Sequence, residues 1–106
     1  MCCQVEMPIT PNVARETSDL LKAVSDPTRL SMLTTLYRAR QPVCICDFTA
    51  AYELSQPTIS HHMGKLRRAG LVSAHKKGIW VYYRLAEPLP RAIKVLLEAI
   101  VAEPSA

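Results

Sequence analysis

The chain has 106 residues, 49% of them hydrophobic, which allows one small domain with a modest core. Polar residues interrupt its apolar stretches throughout, and no signal peptide is visible, so we expect a soluble cytoplasmic protein without a membrane span. Four cysteines in that compartment are more typical of thiols or metal ligands than of disulfides. The net charge of +4 is mild but unevenly distributed.

The first eleven residues predict a mobile N-terminal tail with two prolines. Cys2 and Cys3 lie near the tip of this tail. The folded domain is expected to span residues 12–103.

Two helices are predicted next. The first spans about Asn12 to Ser25, because apolar residues recur on one face at helical spacing. The second begins at Asp26-Pro27, where the aspartate can cap the helix and the proline takes the first helical position. It continues to about Arg38, and Gln41-Pro42 then interrupts the pattern.

The stretch from Cys44 to Leu71 predicts two short helices joined by a tight turn. The first runs from about Ile45 to Glu53. The second has Ser55 as a suitable N-cap and Gly70 as a natural stop. Its apolar side, which we expect to be buried, consists of Ile59, Met63 and Leu66, with His62 at the margin.

The opposite side of this second helix carries small polar and basic residues. From Ser55 to Leu85 the chain has six cations and no Asp or Glu, whereas the remainder has seven cations and nine acids. A surface that was only solvated would carry charges of both signs. The local positive charge therefore indicates binding to an anionic polymer, and the side chains suit DNA phosphates and base edges.

The chain then changes to strand chemistry. The runs LVSAH and IWVYYRL, joined by KKG, predict a hairpin whose basic tip, Lys76 and Lys77, can contact a neighbouring phosphate or groove. The last helix, from about Pro88 to Ala102, is apolar on nearly every side, which a domain of this size cannot enclose. One side should face a second copy of the chain across a two-fold axis. The alternative is a helix lying in its own core.

These elements together predict a mainly helical fold with a small β-hairpin, namely a homodimeric winged helix-turn-helix domain. In such a dimer the two reading helices would lie about 34–36 Å apart, one turn of B-DNA. That spacing favours an inverted-repeat site in double-stranded DNA.

Several motifs resemble the ArsR/SmtB family of metal- and metalloid-responsive repressors. They are SDPTRLSML, VCICDF, LSQPTISHHMGKLRRAGLV and WVYYRL, and the resemblance spans about Leu20 to Leu85. It implies a winged-helix homodimer, joined through its first and last helices, that binds operator DNA without its ion and releases it on ion binding. By motif match the DNA contacts would be Ser55, Gln56, Thr58, Ser60 and His61. The basic residues Lys65, Arg68, Lys76 and Lys77 are expected to add to them.

Cys44 and Cys46 match both cysteines of the family's arsenic-sensing box. Thiolates are soft ligands that select thiophilic ions, and a helix N-terminus is expected to lower the pKa of a cysteine. Residues i and i+2 of a helix point about 200° apart. We therefore expect that one ion bound by both thiols unwinds the start of this helix and weakens DNA binding through the next one.

The ligand set is incomplete within this box. Some relatives continue to a third cysteine where this chain has Thr49. Cys2 or Cys3 could supply it, in cis or across the dimer, because their linker can extend about 30 Å. Arsenite or antimonite would then be the effector. With both tail thiols engaged, a four-cysteine site would suit cadmium, lead or zinc instead.

Other sites and functions are less well supported by the sequence. The zinc site of some relatives is not expected on the last helix, which has Glu98 but no His. A redox switch would require a strained C-x-C disulfide ring. A thiol reductase or other enzyme is disfavoured, because the chain lacks a C-x-x-C motif, a phosphate loop, a nucleophile elbow and a carboxylate pair. In an unregulated DNA binder, Cys44 and Cys46 would be only small buried hydrophobes.

Overall fold

Five helices and three short strands make up residues 4–102, the part of the chain that this computed structural model describes. In chain order they are α1 (Pro11–Val24), α2 (Pro27–Ala39), β1 (Val43–Cys44), α3 (Ile45–Tyr52), α4 (Gln56–Arg68), β2 (Val72–Lys77), β3 (Trp80–Leu85) and α5 (Arg91–Ala102). The helix-turn-helix is α3–α4, and β2–β3 is the wing. The predicted fold class is confirmed.

Side-chain caps fix the starts of the first two helices. Thr10 Oγ1 accepts a hydrogen bond from the N–H of Val13 at 3.1 Å, so α1 begins at Pro11, one residue earlier than expected. Asp26 Oδ2 accepts from the N–H of Arg29 at 2.9 Å, with Pro27 following at the first helical position. The predicted start of α2 is confirmed.

The wing is the predicted antiparallel hairpin, with a tighter turn than expected. Its pairing runs from Val72 opposite Leu85 to Lys77 opposite Trp80. The turn is therefore Gly78-Ile79, and Gly78 has a φ of +62°, which a residue without a Cβ adopts at little cost. The two lysines end β2 rather than forming the turn.

Strand β1 was not predicted. It adds to the outer edge of β3, which gives the sheet order β1-β3-β2. Val43 pairs with Tyr83, and Cys44 pairs with Tyr82. This places the first cysteine of the thiol pair in the same sheet as the wing.

The core lies between the sheet and helices α2 to α5. Its largest fully buried side chains are Met32, Leu33, Phe48, Ile59, Met63, Leu66, Leu71, Ile93 and Leu97. Complete burial of a side chain of this size contributes about 1.5–3 kcal/mol, so the core holds the helix-turn-helix firmly on its scaffold. The predicted inward face of α4, Ile59, Met63 and Leu66, is confirmed.

The end of α4 is locked to the start of the wing. The N–H of Gly70 donates to the carbonyl of Arg67 at 2.9 Å, and that of Leu71 donates to the carbonyl of Leu66 at 3.0 Å. This is a Schellman motif, in which Gly70 has a φ of +77° and the two leucines are fully buried. The motif fixes the orientation of the wing relative to α4.

Helices α1 and α5 both expose apolar side chains. Val13 and Leu21 of α1 are 44% and 47% exposed, and Val95 of α5 is 52% exposed. Ile93 and Leu97, on the other side of α5, are buried. An α5 that lies wholly in its own core is thus excluded. Within residues 4–102, no helix combines the length and hydropathy that crossing a membrane requires.

Candidate nucleic-acid interface and thiol pair

The N-terminus of α4 brings together the polar residues of the SQPTISHH motif. Ser55 Oγ accepts from the N–H of Thr58 at 3.3 Å and lies 2.9 Å from Thr58 Oγ1. Gln56, Ser60 and His61 are exposed, whereas Thr58 is half-buried. Ser55 therefore caps the helix, Thr58 is its hydrogen-bond partner, and the other three side chains are available to a ligand.

The basic residues extend this surface along α4 and into the wing. Lys65 and Arg68 are exposed on α4, and Lys76 and Lys77 are exposed at the end of β2. Lys77 Nζ lies 6.0 Å from the ring centroid of Tyr82, on the outer face of the hairpin. The predicted DNA contacts on α4 thus lie together on one helix. Lys76 and Lys77 lie apart from them, on the wing.

The thiol groups of Cys44 and Cys46 lie together at the start of α3. Cys44 is buried and is the N-cap residue, with an extended backbone (φ −68°, ψ 143°), while Cys46 is exposed. Cys46 Sγ donates to Cys44 Sγ at 2.9 Å. The expected 200° divergence is wrong, because Cys44 precedes the helix instead of belonging to it. Convergence of the two sulfurs requires no unwinding of α3.

The expected lowering of the pKa is wrong for Cys46. Its hydrogen bond to Cys44 holds the proton and raises the pKa of Cys46 above its ordinary value. Desolvation and the electrostatic effects of Cys44 and Asp47 raise it further, and they outweigh the opposing hydrogen bond from the backbone N–H of Asp47. Cys46 is therefore a thiol at neutral pH.

The pair supplies two sulfur ligands at most. In the part of the chain described, no three His, Cys, Asp or Glu side chains lie close enough together to hold a metal ion. Cys2 and Cys3, the predicted further ligands, lie outside the described residues. With metal–sulfur distances of about 2.3 Å, two sulfurs on one tetrahedral ion lie about 3.8 Å apart. On such an ion the sulfurs of Cys44 and Cys46 would have to separate by roughly 1 Å.

The thiol pair is connected to both parts of the predicted DNA-binding surface. Cys44 is opposite Tyr82 of the wing strand β3. Two residues beyond Cys46, the ring of Phe48 packs edge-on against that of Tyr83, with centroids 6.5 Å apart. Helix α3 also packs directly on α4. The connection to the wing was missed from the sequence because β1 pairs with a strand some forty residues away.

Asp26, the N-cap residue of α2, interacts electrostatically with His62 of α4, away from the thiols. The hydrogen bond from the Arg29 N–H lowers the pKa of Asp26, and the charges of Arg29 and His62 lower it further against partial desolvation. His62 is half-buried, and His61 is exposed, with ring centroids 6.2 Å apart. This agrees with the expectation that His62 lies at the margin of the core.

Known proteins resemble this chain in sequence and in fold. The model of the arsR family of bacterial regulatory proteins matches residues 26–74. The arsenic resistance transcriptional regulator ArsR1 of Pseudomonas putida is 43% identical over 83 residues, which are 77% of this chain and 63% of that protein. The arsenical resistance operon repressor of Escherichia coli is 41% identical over 76% of this chain and 68% of that protein.

A solved structure resembles a larger part of the chain. The crystal structure of the antimony-specific transcriptional repressor AntR superposes with a TM-score of 0.75 at 26% identity, covering 92% of this chain and 85% of that one. The matches agree with the resemblance inferred from the motifs and confirm that the chain is a regulatory protein and not an enzyme. The chain belongs to the arsR family of bacterial regulatory proteins.

Proposed function

We propose that the chain is a transcriptional repressor that binds operator DNA as a homodimer and releases it when arsenite or antimonite binds Cys44 and Cys46. The observation that carries this proposal is the pair of sulfurs 2.9 Å apart at the start of α3, the helix that packs on the basic helix α4. Two relatives named for arsenic resistance and a fold relative named for antimony specificity support it.

In this proposal α4 enters the major groove of the operator. Gln56, Ser60 and His61 face base edges, and Lys65 and Arg68 face phosphates. All five side chains are exposed, and none lies on the buried side of the helix. The wing lysines contact the DNA backbone beyond the major groove.

The homodimer forms through α1 and α5. Val13 and Leu21 of one helix and Val95 and Ile100 of the other are large apolar residues exposed on the surface of the protomer. Their burial against a two-fold-related copy removes this surface from water. The dimer also brings two α4 helices to one DNA duplex.

Arsenite and antimonite are the effectors that two neighbouring thiols suit best. Each thiol replaces one hydroxyl group of As(OH)₃: an As–S bond forms, an As–O bond breaks, and the thiol proton leaves with the hydroxide as water. The raised pKa of Cys46 is compatible with this exchange, because no net ionisation is required. A cysteine of the N-terminal tail, Cys2 or Cys3, supplies the third sulfur, from its own or the partner subunit.

The coupling to DNA follows from the position of Cys44 and not from unwinding of a helix. Because Cys44 is buried, separation of the two sulfurs displaces this residue, which is both the N-cap of α3 and the β1 residue opposite Tyr82. The displacement reaches α4 through α3 and reaches the wing through β3. Both DNA-contacting elements thus shift together.

The test is an anisotropy titration of a fluorescent duplex that the wild-type protein has selected from a random-sequence library. Arsenite, antimonite, cadmium, lead and zinc are added side by side to separate samples of the complex. We expect release by arsenite and antimonite at the lowest concentrations. Preferential release by cadmium or lead, lost in a Cys2→Ser/Cys3→Ser variant, would instead indicate a four-cysteine site. A chain that selects no duplex would refute the repressor proposal.

A further inference from the structure

A groove of about 290 Å³ lies between α4 and the wing. Ser60, Gly64 and Arg67 line it from α4, and His75, Lys76 and Tyr83 line it from the hairpin. Neither Arg67 nor His75 belongs to the surface predicted from the sequence. The groove separates that surface into its helical part and its wing part.

The groove is basic. Arg67 and Lys76 are exposed at its rim, and none of the described residues that line it is Asp or Glu. The ring of His75 stacks on that of Tyr82, on the other face of the hairpin. Lys76 is opposite Val81 in the hairpin, so its side chain lies on the sheet face that packs towards α4. Lys77, one residue on, lies over Tyr82 on the other face. The side chains of the two adjacent lysines therefore lie on opposite faces of the hairpin.

The position of the groove identifies what it can hold. A helix in the major groove and a hairpin tip in the adjacent groove stand on opposite sides of one sugar-phosphate backbone. That backbone must pass between them, where this cavity lies. We propose that the groove is a seat for a phosphate of the operator backbone, bound by Arg67 and Lys76. This proposal rests on the proposed DNA-binding function.

Gly64 keeps the seat open. A glycine in the middle of a helix destabilises it relative to alanine, so its presence there requires another reason. A Cβ at Gly64 would meet only Nη1 of Arg68, at 3.5 Å, which is ordinary van der Waals contact. The free protein therefore has room for a methyl group at this position. A bound phosphate would compete for the same space.

The first test uses Gly64→Ala, with binding measured on the selected duplex and stability measured by thermal unfolding. Alanine should raise the melting temperature by about 4 °C and weaken DNA binding by about tenfold or more. A gain in stability with a loss of affinity separates the seat from a structural role of Gly64. Equal affinity of the variant and the wild type would overturn the proposal.

The second test removes the charges. Arg67→Ala and Lys76→Ala should each lower the slope of log affinity against log salt by about two, since a dimer loses one phosphate contact per subunit. Arg38→Ala is the matched control, because Arg38 is an exposed cation of α2 outside the groove. We expect its slope to equal that of the wild type. A loss that is the same for all three variants would reflect net charge and contradict the proposal.

The third test locates the phosphate. Single neutral methylphosphonates are placed in turn along each strand of the selected duplex. A methylphosphonate at one position per half-site should weaken binding by the wild type. The same substitution should not weaken binding by Arg67→Ala, because that variant already lacks the contact with this phosphate. If no position depends on Arg67, the seat does not exist. Loss of binding in Lys65→Ala and Arg68→Ala alone would leave the repressor proposal standing and refute only the seat.

Discussion

Replacement of Tyr52 by Phe removes the hydrogen bonds that fix the end of α3. The Tyr52 hydroxyl lies 2.8 Å from Ser31 Oγ and 2.9 Å from Thr35 Oγ1, both on α2. Thr35 Oγ1 also donates to the carbonyl of Ser31 at 3.0 Å. Since Thr35 has one hydroxyl proton, it must accept from Tyr52, and Tyr52 in turn accepts from Ser31. The hydroxyl group of Tyr52 therefore completes a continuous chain.

The cost of this replacement follows from the two bonds that are lost. Each contributes about 0.5–1.5 kcal/mol net, so Tyr52→Phe should lower the free energy of unfolding by about 1–3 kcal/mol. The melting temperature should fall by about 4–8 °C for each kcal/mol lost. Tyr37→Phe is the matched control, because the Tyr37 hydroxyl forms no side-chain hydrogen bond with the described residues.

The assay is urea unfolding at a fixed protein concentration, followed by circular dichroism for the wild type and both tyrosine variants. Fixed concentration matters because a dimer unfolds at a concentration-dependent midpoint. Equal stability of Tyr52→Phe and Tyr37→Phe would refute the idea that this hydroxyl chain anchors α3 to α2.

Three further predictions concern stability, DNA binding and assembly. Asp26→Ala should cost about 1 kcal/mol at pH 7. Folding lowers the pKa of Asp26, so the ionised carboxylate stabilises the folded protein at pH values above the ordinary pKa of aspartate. This stabilisation is lost as the pH falls through the lowered pKa of the folded state. The free energies of unfolding of Asp26→Ala and the wild type should therefore converge in acid. Arg68→Ala should weaken binding to every duplex, whereas Gln56→Ala should also change sequence preference; a uniform loss for both would contradict base reading. Val95→Asp should convert the dimer to monomers in analytical ultracentrifugation, and an unchanged dimer would place the interface elsewhere.

Local signals explain why the helices were predictable. Asp26-Pro27 and Gly70 determine helix ends through hydrogen bonds that span only a few residues. The alternation of IWVYYRL likewise predicts a strand without knowledge of its partner. The α3–α4 turn carried no such signal at Glu53, which has a φ of +53° although the residue is not glycine.

The thiol site was less predictable because its geometry depends on distant pairing. Two residues are too few to show strand periodicity, so β1 could not be recognised at Val43-Cys44. Without β1, the spacing of residues i and i+2 in a regular helix is the available guide and predicts divergent sulfurs, although the predicted helix begins at about Ile45. The pairing with Tyr82 places Cys44 before the helix, and the sulfurs then meet. The same contact reverses the expected direction of the Cys46 pKa.

The central claim is that ion binding at Cys44 and Cys46 controls the affinity of the protein for DNA. Its most direct test is the arsenite-induced change in anisotropy of the duplex complex, compared between the wild type and the Cys44→Ser/Cys46→Ser variant. We predict that arsenite releases the duplex from the wild type, while the variant binds the duplex normally and retains it. Release from both proteins at the same arsenite concentration would contradict the claim.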